Sequence, residues 1–261
     1  MDVTIYKSLW GMTGSLSDQF KLIAEAGYDG VESAAAEIRD IGKFKSLLSE
    51  CGLDYMPLIY TEGSDVNAHL EDFRRLVVLA SEFSPKKMVA HAGRDLWHLN
   101  DQLRFFDHVL KIENEFGIPI AHETHRRRPL FSPMNTVTIL NEFPELKVNA
   151  DLSHWCCVTE SMLEDHSEVI KLAASRTIHI HARVGYENGP QVSDPRAPEW
   201  AGHLAKFESW WKLMLRDGMT VTPEYGPPTY MQTMPNTNEP VADLWEVCLW
   251  GKNRFQELVD S

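Results

Sequence analysis

Short apolar runs alternate with longer amphipathic segments from one end of the chain to the other. The runs fall near residues 3–7, 28–33, 54–60, 87–91, 118–123, 146–151, 177–182 and 220–224, with the lengths and β-branched content of buried strands. Each is followed by a stretch whose apolar positions recur at helical spacing, near 18–26, 36–51, 66–82, 99–116, 133–142, 161–174, 203–216 and 239–259. Repeated strand–helix units predict a parallel sheet with helices outside it, and eight units is a number that closes a barrel. The predicted fold class is therefore α/β, a (β/α)8 barrel, as a single domain over residues 1–261.

Punctuation supports these boundaries. Ser17 is placed to cap the first helix and Gly27 to end it in a left-handed turn, while Ser132-Pro133 and Gly117 act as further start and stop signals. The one long irregular stretch expected runs from Val184 to about Gly202. A loop of that length in a compact domain is usually functional, so a lid or substrate wall is expected there. Its prolines and glycines also suit a merely irregular connection.

The candidate strands end in unusual chemistry. In Thr177-Ile-His-Ile-His-Ala-Arg183, alternation puts His179, His181 and Arg183 on one face, which a dry core has no reason to carry. Similar endings occur in Ile118-Pro-Ile-Ala-His-Glu-Thr-His125, Leu146-Lys-Val-Asn-Ala-Asp-Leu-Ser-His154 and Thr220-Val-Thr-Pro-Glu224. In a parallel barrel all strand C-termini open at one mouth, so Glu123, Asp151, His181 and Glu224 should converge although 28, 30 and 43 residues separate them. Three carboxylates and one imidazole form a mostly hard donor set that suits one divalent ion, with Mn2+, Mg2+ or Co2+ favoured and Zn2+ less so. His181 is chosen as the ligand because it lies nearer the strand end, leaving His179 deeper as its partner or a core residue.

The composition narrows the partners. A formal charge of -13 argues against nucleic acid, and no stretch approaches the roughly 18 apolar residues of a membrane span. The four cysteines form no CxxC pair, and the N-terminus lacks a basic region followed by an apolar one, so a reducing, cytoplasmic location is expected. The sequence leaves the oligomeric state open, and a homo-oligomer is compatible with it. Against the acidic background, His91, His122, His125, Arg126, Arg127, Arg128 and Arg183 gather near the predicted mouth. That cluster suits a small substrate, anionic if a carboxylate or phosphate meets an arginine fork. Of the run Arg126-Arg127-Arg128, Arg126 is expected to point inward and its neighbours outward. Trp10 and Tyr186 are candidates for stacking walls, with barrel core the alternative for Trp10.

Glu123, the Asp151-Leu-Ser-His154 segment, His181 in His-Ile-His and Glu224 resemble the xylose isomerase-like TIM barrels, which include ketose 3-epimerases, hydroxypyruvate isomerase, inosose dehydratase and endonuclease IV. The resemblance covers most of the chain. It implies that Glu123, Asp151, His181 and Glu224 hold the metal, that Glu123 and Glu224 double as the acid/base pair, and that His154 lies beside the substrate. His91, His125, Arg126 and Arg183 are the other expected substrate contacts. Two points stand apart. The epimerases carry an arginine six residues after the metal histidine, where this chain has Glu187, its nearest arginine being Arg183; and Glu32 resembles a second-strand glutamate of the family but is also placed to cap the next helix.

The implied activity is a metal-dependent isomerisation or epimerisation of a small sugar or sugar-acid derivative, by proton transfer through an enediolate. Loss of hydroxide in place of reprotonation would make the same site a dehydratase. A non-catalytic sugar-binding barrel and a phosphodiesterase are the remaining alternatives, the latter opposed by the acidic charge.

Overall fold

The computed structural model describes residues 1–261 and is a closed, all-parallel barrel of eight strands in sequence order. The strands are β1 (Val3–Ser8), β2 (Gly30–Ala34), β3 (Asp54–Tyr60), β4 (Met88–His91), β5 (Ile120–Glu123), β6 (Lys147–Ala150), β7 (Thr177–His181) and β8 (Met219–Thr222). Around them lie α1 (Leu16–Glu25), α2 (Ile41–Cys51), α3 (Val66–Ser81), α4 (Leu99–Phe116), α5 (Pro133–Glu142), α6 (Leu152–Thr159), α7 (Ser167–Arg176), α8 (Ala201–Met214) and α9 (Leu244–Asp260). The barrel closes where β1 pairs with β8, Val3 opposite Met219 and Ile5 opposite Val221. None of the helices is long and apolar enough to cross a membrane.

Strand parity sorts the side chains. Tyr6, Met56, Val89 and Ala121 fill the barrel floor, whereas residues of opposite parity, such as Val148 and Ile180, join the larger core between sheet and helices. Gly30 makes room for the floor, because a Cβ there would stand 2.5 Å from the Asp54 carbonyl oxygen and 2.6 Å from the Tyr6 ring. On β7 the register shifts: Val148 is opposite Thr177, yet the next residue, Asn149, is opposite His179. The extra residue, Ile178, is a bulge that lets Thr177 hydrogen-bond outward to the Ala173 carbonyl of α7 while His179 and His181 both turn inward.

Several boundaries differ from the sequence pattern, among them that of α2, expected from 36 but starting at Ile41 behind its Asp40 cap. The cap of α1 is Ser15, two residues before the expected Ser17, and its hydroxyl accepts from the Asp18 amide. One helix was expected over 161–174; the structure has α7 there and adds α6 before it, started by Asp151 accepting from the Ser153 amide. The last helix begins at Leu244, not 239, because Asp243 supplies the cap and Pro240 lies in the stretch before it. Residues 223–243 are thus a second long irregular segment besides the expected one. The two are fastened together: Gln191 donates to the Gly226 carbonyl (3.1 Å) and accepts from the Gly226 amide (2.8 Å), and the Val184 amide donates to the Tyr225 hydroxyl (3.1 Å). With Val184, Gln191 and Val192 buried, the segment after β7 is a docked wall.

Candidate metal centre

Glu123 ends β5, Asp151 follows β6, His181 ends β7 and Glu224 lies two residues beyond β8. All four side chains are buried, and one donor atom from each lies within 4.8 Å of the others. His181 is central. Its Nδ1 is 3.2 Å from Glu123 Oε2 and 3.0 Å from Glu224 Oε2, while its Nε2 is 3.2 Å from Glu32 Oε1. Glu32 is also reached by His179 Nε2 at 3.2 Å and by the Thr222 hydroxyl, which donates to it at 2.8 Å. Its carboxylate is therefore the support of the central imidazole, and it caps no helix. His179 lies deeper, its Nδ1 against the Thr220 hydroxyl at 2.8 Å.

Asp151 is held at both ends. Its amide donates to the Thr124 hydroxyl (2.8 Å), and its Oδ1 accepts from the Ser153 amide (3.0 Å) as the cap of α6. Its Oδ2 accepts from Arg183 Nη2 at 2.6 Å, and the same nitrogen donates to Glu224 Oε2 at 2.7 Å. Arg183 is almost wholly buried, with its guanidinium 5.0 Å from the Tyr230 ring centroid.

These contacts set the charges. Burial works to raise the Glu123 carboxyl, but His91 and His181 hold it well below the usual carboxylate range. Burial likewise opposes ionisation of Glu224, and Arg183 with His181 overrides it. Glu32 is pulled down by His181 and His179 against the same penalty. Asp151 goes the other way: burial, together with the charges of Glu123 and Glu224, raises it in spite of Arg183. The carboxylates in turn push the His181 imidazole well above its ordinary value against the cost of burial.

The cluster fits a divalent ion. Edges of 3.0 and 3.2 Å between His181 Nδ1 and its two glutamate oxygens are close to the roughly 3 Å between neighbouring donors of an octahedral ion with bonds of about 2.1 Å. Glu123 Oε1 and His181 Nδ1 are buried without a hydrogen-bond partner, as ligand atoms would be.

The other expected site residues mostly gather on the same side. His91 contacts Glu123 Oε2. His154 Nε2 is 3.6 Å from Asp151 Oδ2 and 3.9 Å from Glu123 Oε1, and its Nδ1 is buried and unpartnered. Burial drives its imidazole well below the ordinary value and takes that of His125, packed 3.9 Å away by ring centroid, down to about 3. Arg126 lies 5.1 Å from the Tyr230 centroid. Trp10 is a rim residue, 38% exposed, whose ring meets Tyr230 edge-on.

Three expectations are corrected. His122 has the wrong parity for the mouth and sits between Phe73 and Phe106 in the helix layer, where burial pushes its imidazole down to about 3. Of the arginine run only Arg127 is solvated: Arg128 is buried and donates to the carbonyls of Thr61 (3.2 Å) and Gly93 (2.9 Å), tying the loops after β3, β4 and β5 together. Tyr186 packs on Trp200 within its own loop. Tyr230, placed by no pattern in the sequence, lies in the unexpected irregular segment, and Asn149, whose amide donates to Glu123 Oε2 at 3.3 Å, was equally hidden.

No curated protein sequence matches the chain. Its fold is similar to those of several solved proteins. The D-allulose 3-epimerase of Methylomonas sp., solved with D-allulose, is 14% identical over 98% of this chain and 96% of its own, with a TM-score of 0.67. The 3-keto-D-glucoside 4-epimerase YcjR of E. coli is 12% identical over 98% and 100%, at 0.63, and the probable 3-DHS dehydratase AsbF of Bacillus anthracis 14% over 97% and 98%, at 0.62. At these identities the likeness speaks for the fold alone. The model of one family, described as xylose isomerase-like TIM barrel, matches residues 20–240, and the chain belongs to that family.

Proposed function

We propose that this protein is a divalent-metal-dependent isomerase or epimerase of a small sugar or sugar-acid derivative, acting by proton transfer at the carbon beside a carbonyl. The observation that carries the reading is the convergence of Glu123, Asp151, His181 and Glu224, from the ends of four successive strands, on one buried point. They would hold the ion, which when bound would polarise a carbonyl oxygen and the hydroxyl beside it. Glu123 ends β5 and Glu224 lies just beyond β8, strands that are not adjacent in the barrel, and an oxygen of each comes within 3.2 Å of His181 Nδ1. Held ionised by their neighbours, either can take the proton from carbon, and the other can return one once it has itself received a proton from solvent or from a substrate hydroxyl. His91 and Asn149 orient Glu123, and Glu32 orients His181. His154, His125 and Arg126 line the approach, with the unpartnered Nδ1 of His154 available to a substrate hydroxyl.

The test is proton exchange. A panel of keto-sugars, sugar acids and inososes with Mn2+ in deuterated water should yield one substrate that gains deuterium beside its carbonyl. Glu224→Gln keeps an oxygen donor but not the basicity, so it should still bind that substrate and exchange it about 10²–10⁴-fold more slowly. A variant that retains metal and exchanges at the wild-type rate refutes the role of Glu224 in proton transfer. A product lighter by one water would instead favour the dehydratase chemistry named for one structural relative.

A further inference from the structure

We infer that Arg183 is the resident cation of the metal-free centre, bridging Asp151 and Glu224 until a divalent ion displaces it. The inference rests on reading the cluster as a metal site. Its basis is which atoms are already taken. Of the four donors, Glu123 and His181 present buried atoms with no hydrogen-bond partner, whereas Asp151 Oδ2 and Glu224 Oε2 share one guanidinium nitrogen at 2.6 and 2.7 Å. Asp151 Oδ2 receives Nε as well, at 3.1 Å, and Asp151 Oδ1 is committed to Ser153 as the cap of α6. An ion that takes Asp151 Oδ2 and Glu224 Oε2 as ligands must therefore compete with Arg183 for both atoms, and at Asp151 the other oxygen is already committed.

The arrangement answers a physical need. Three buried carboxylates within 4.8 Å repel one another, and Arg183 is the arginine that touches two of them. Arg183 supplies a positive charge from two residues beyond the end of β7, so the centre is assembled in advance of the metal. A displaced guanidinium is not left bare, because the Tyr230 ring lies 5.0 Å from it and offers its face to a cation. Its Nη1, buried and without a partner, would be the donor that meets a substrate oxygen once Nη2 has let go. Metal would then bind before substrate.

Calorimetry with Mn2+ on chelator-treated wild type and Arg183→Met, with thermal unfolding of each in both states, tests this. The variant should bind Mn2+ about tenfold more tightly, since a competing like charge a few ångströms away is gone. Its melting temperature should fall more in the metal-free state than in the loaded one. Equal falls in both states, or unchanged or weaker Mn2+ binding, overturn the inference and leave an arginine that only packs. If Arg183→Met fails to fold without metal, its recovery on refolding with Mn2+ supports the inference. If it folds in neither state, crystals of the wild type with and without Mn2+ decide: loss of at least one Nη2 contact to Asp151 or Glu224 on loading supports displacement, and retention of both overturns it. A wild type that takes up no Mn2+, Mg2+ or Co2+ refutes the metal reading itself, an outcome separate from a wild type that binds metal with Arg183 unmoved.

Discussion

His122 should make this protein acid-sensitive from outside its functional site. The imidazole lies on the helix-facing side of β5, its ring centroid 6.1 Å from that of Phe73 and 5.4 Å from that of Phe106, and its buried Nε2 has no partner. No carboxylate offsets the cost of charging it, and burial alone takes its pKa down to about 3. In the unfolded chain the value returns to about 6.5. Between these limits the unfolded state binds a proton that the folded state refuses, so stability falls as pH falls, by about 1.4 kcal/mol per unit. The contribution is fully present above pH 6.5. At pH 5 the loss is about 2 kcal/mol, and below pH 3 it levels off near 5 kcal/mol. His125, also taken down to about 3, adds a parallel loss, so the contribution of His122 is read as a difference. Urea unfolding of wild type and His122→Phe from pH 7.5 to 5 should give curves that diverge by about 2 kcal/mol at the acid end, with the variant the flatter. Parallel curves over that range would refute the argument that the imidazole is held neutral by burial.

Two further changes probe the centre and its rim. Glu32→Gln removes the negative charge behind His181 and His179, and Mn2+ affinity measured by calorimetry should drop about 10–100-fold, as for other partners of metal-bound imidazoles; wild-type affinity would remove Glu32 from that role. Gly226→Ala would place a methyl group on the Trp10 ring, so the urea midpoint should fall by the equivalent of about 1–3 kcal/mol, and an unchanged midpoint would mean that Trp10 moves aside at no cost.

Most of the barrel was legible because strands buried on both faces and amphipathic helices leave different periodicities, and the convergence of Glu123, Asp151, His181 and Glu224 was legible because parallel strands must end at one mouth. What stayed hidden depends on contacts between elements. His122 is the exception: with Glu123 in the mouth, alternation along β5 already turns its neighbour to the helix side, so parity in the sequence outweighs a count of cationic residues near the strand end. Arg128 was unreadable, since its burial is repaid by carbonyls of Thr61 and Gly93 that are 67 and 35 residues away in the chain. Arg183 lies in the mouth as expected, but a sequence cannot show that Asp151 and Glu224 already hold its Nη2. Tyr230 had no signal at all, lying in a proline-rich segment whose course is set by Gln191 and Tyr225.

The bulge at Ile178 is the local feature on which the centre most depends. Parity in a regular strand would tie the inward histidines to an inward Thr177, yet Thr177 is needed outside, where its hydroxyl donates to the Ala173 carbonyl at 2.8 Å and fixes the short turn from α7 into β7. One extra residue satisfies both demands: Ile178 joins the apolar floor, and from His179 onward the inward positions carry His179, His181 and, beyond the strand, Arg183. These three then stack toward the mouth, the first against Glu32 and Thr220, the second between Glu32 and the paired glutamates, the third across Asp151 and Glu224. A slip of one residue there would turn all of them outward together and leave four buried carboxylates with almost no cations among them. The ionic layer at the mouth therefore also penalises a one-residue slip in the register of β7.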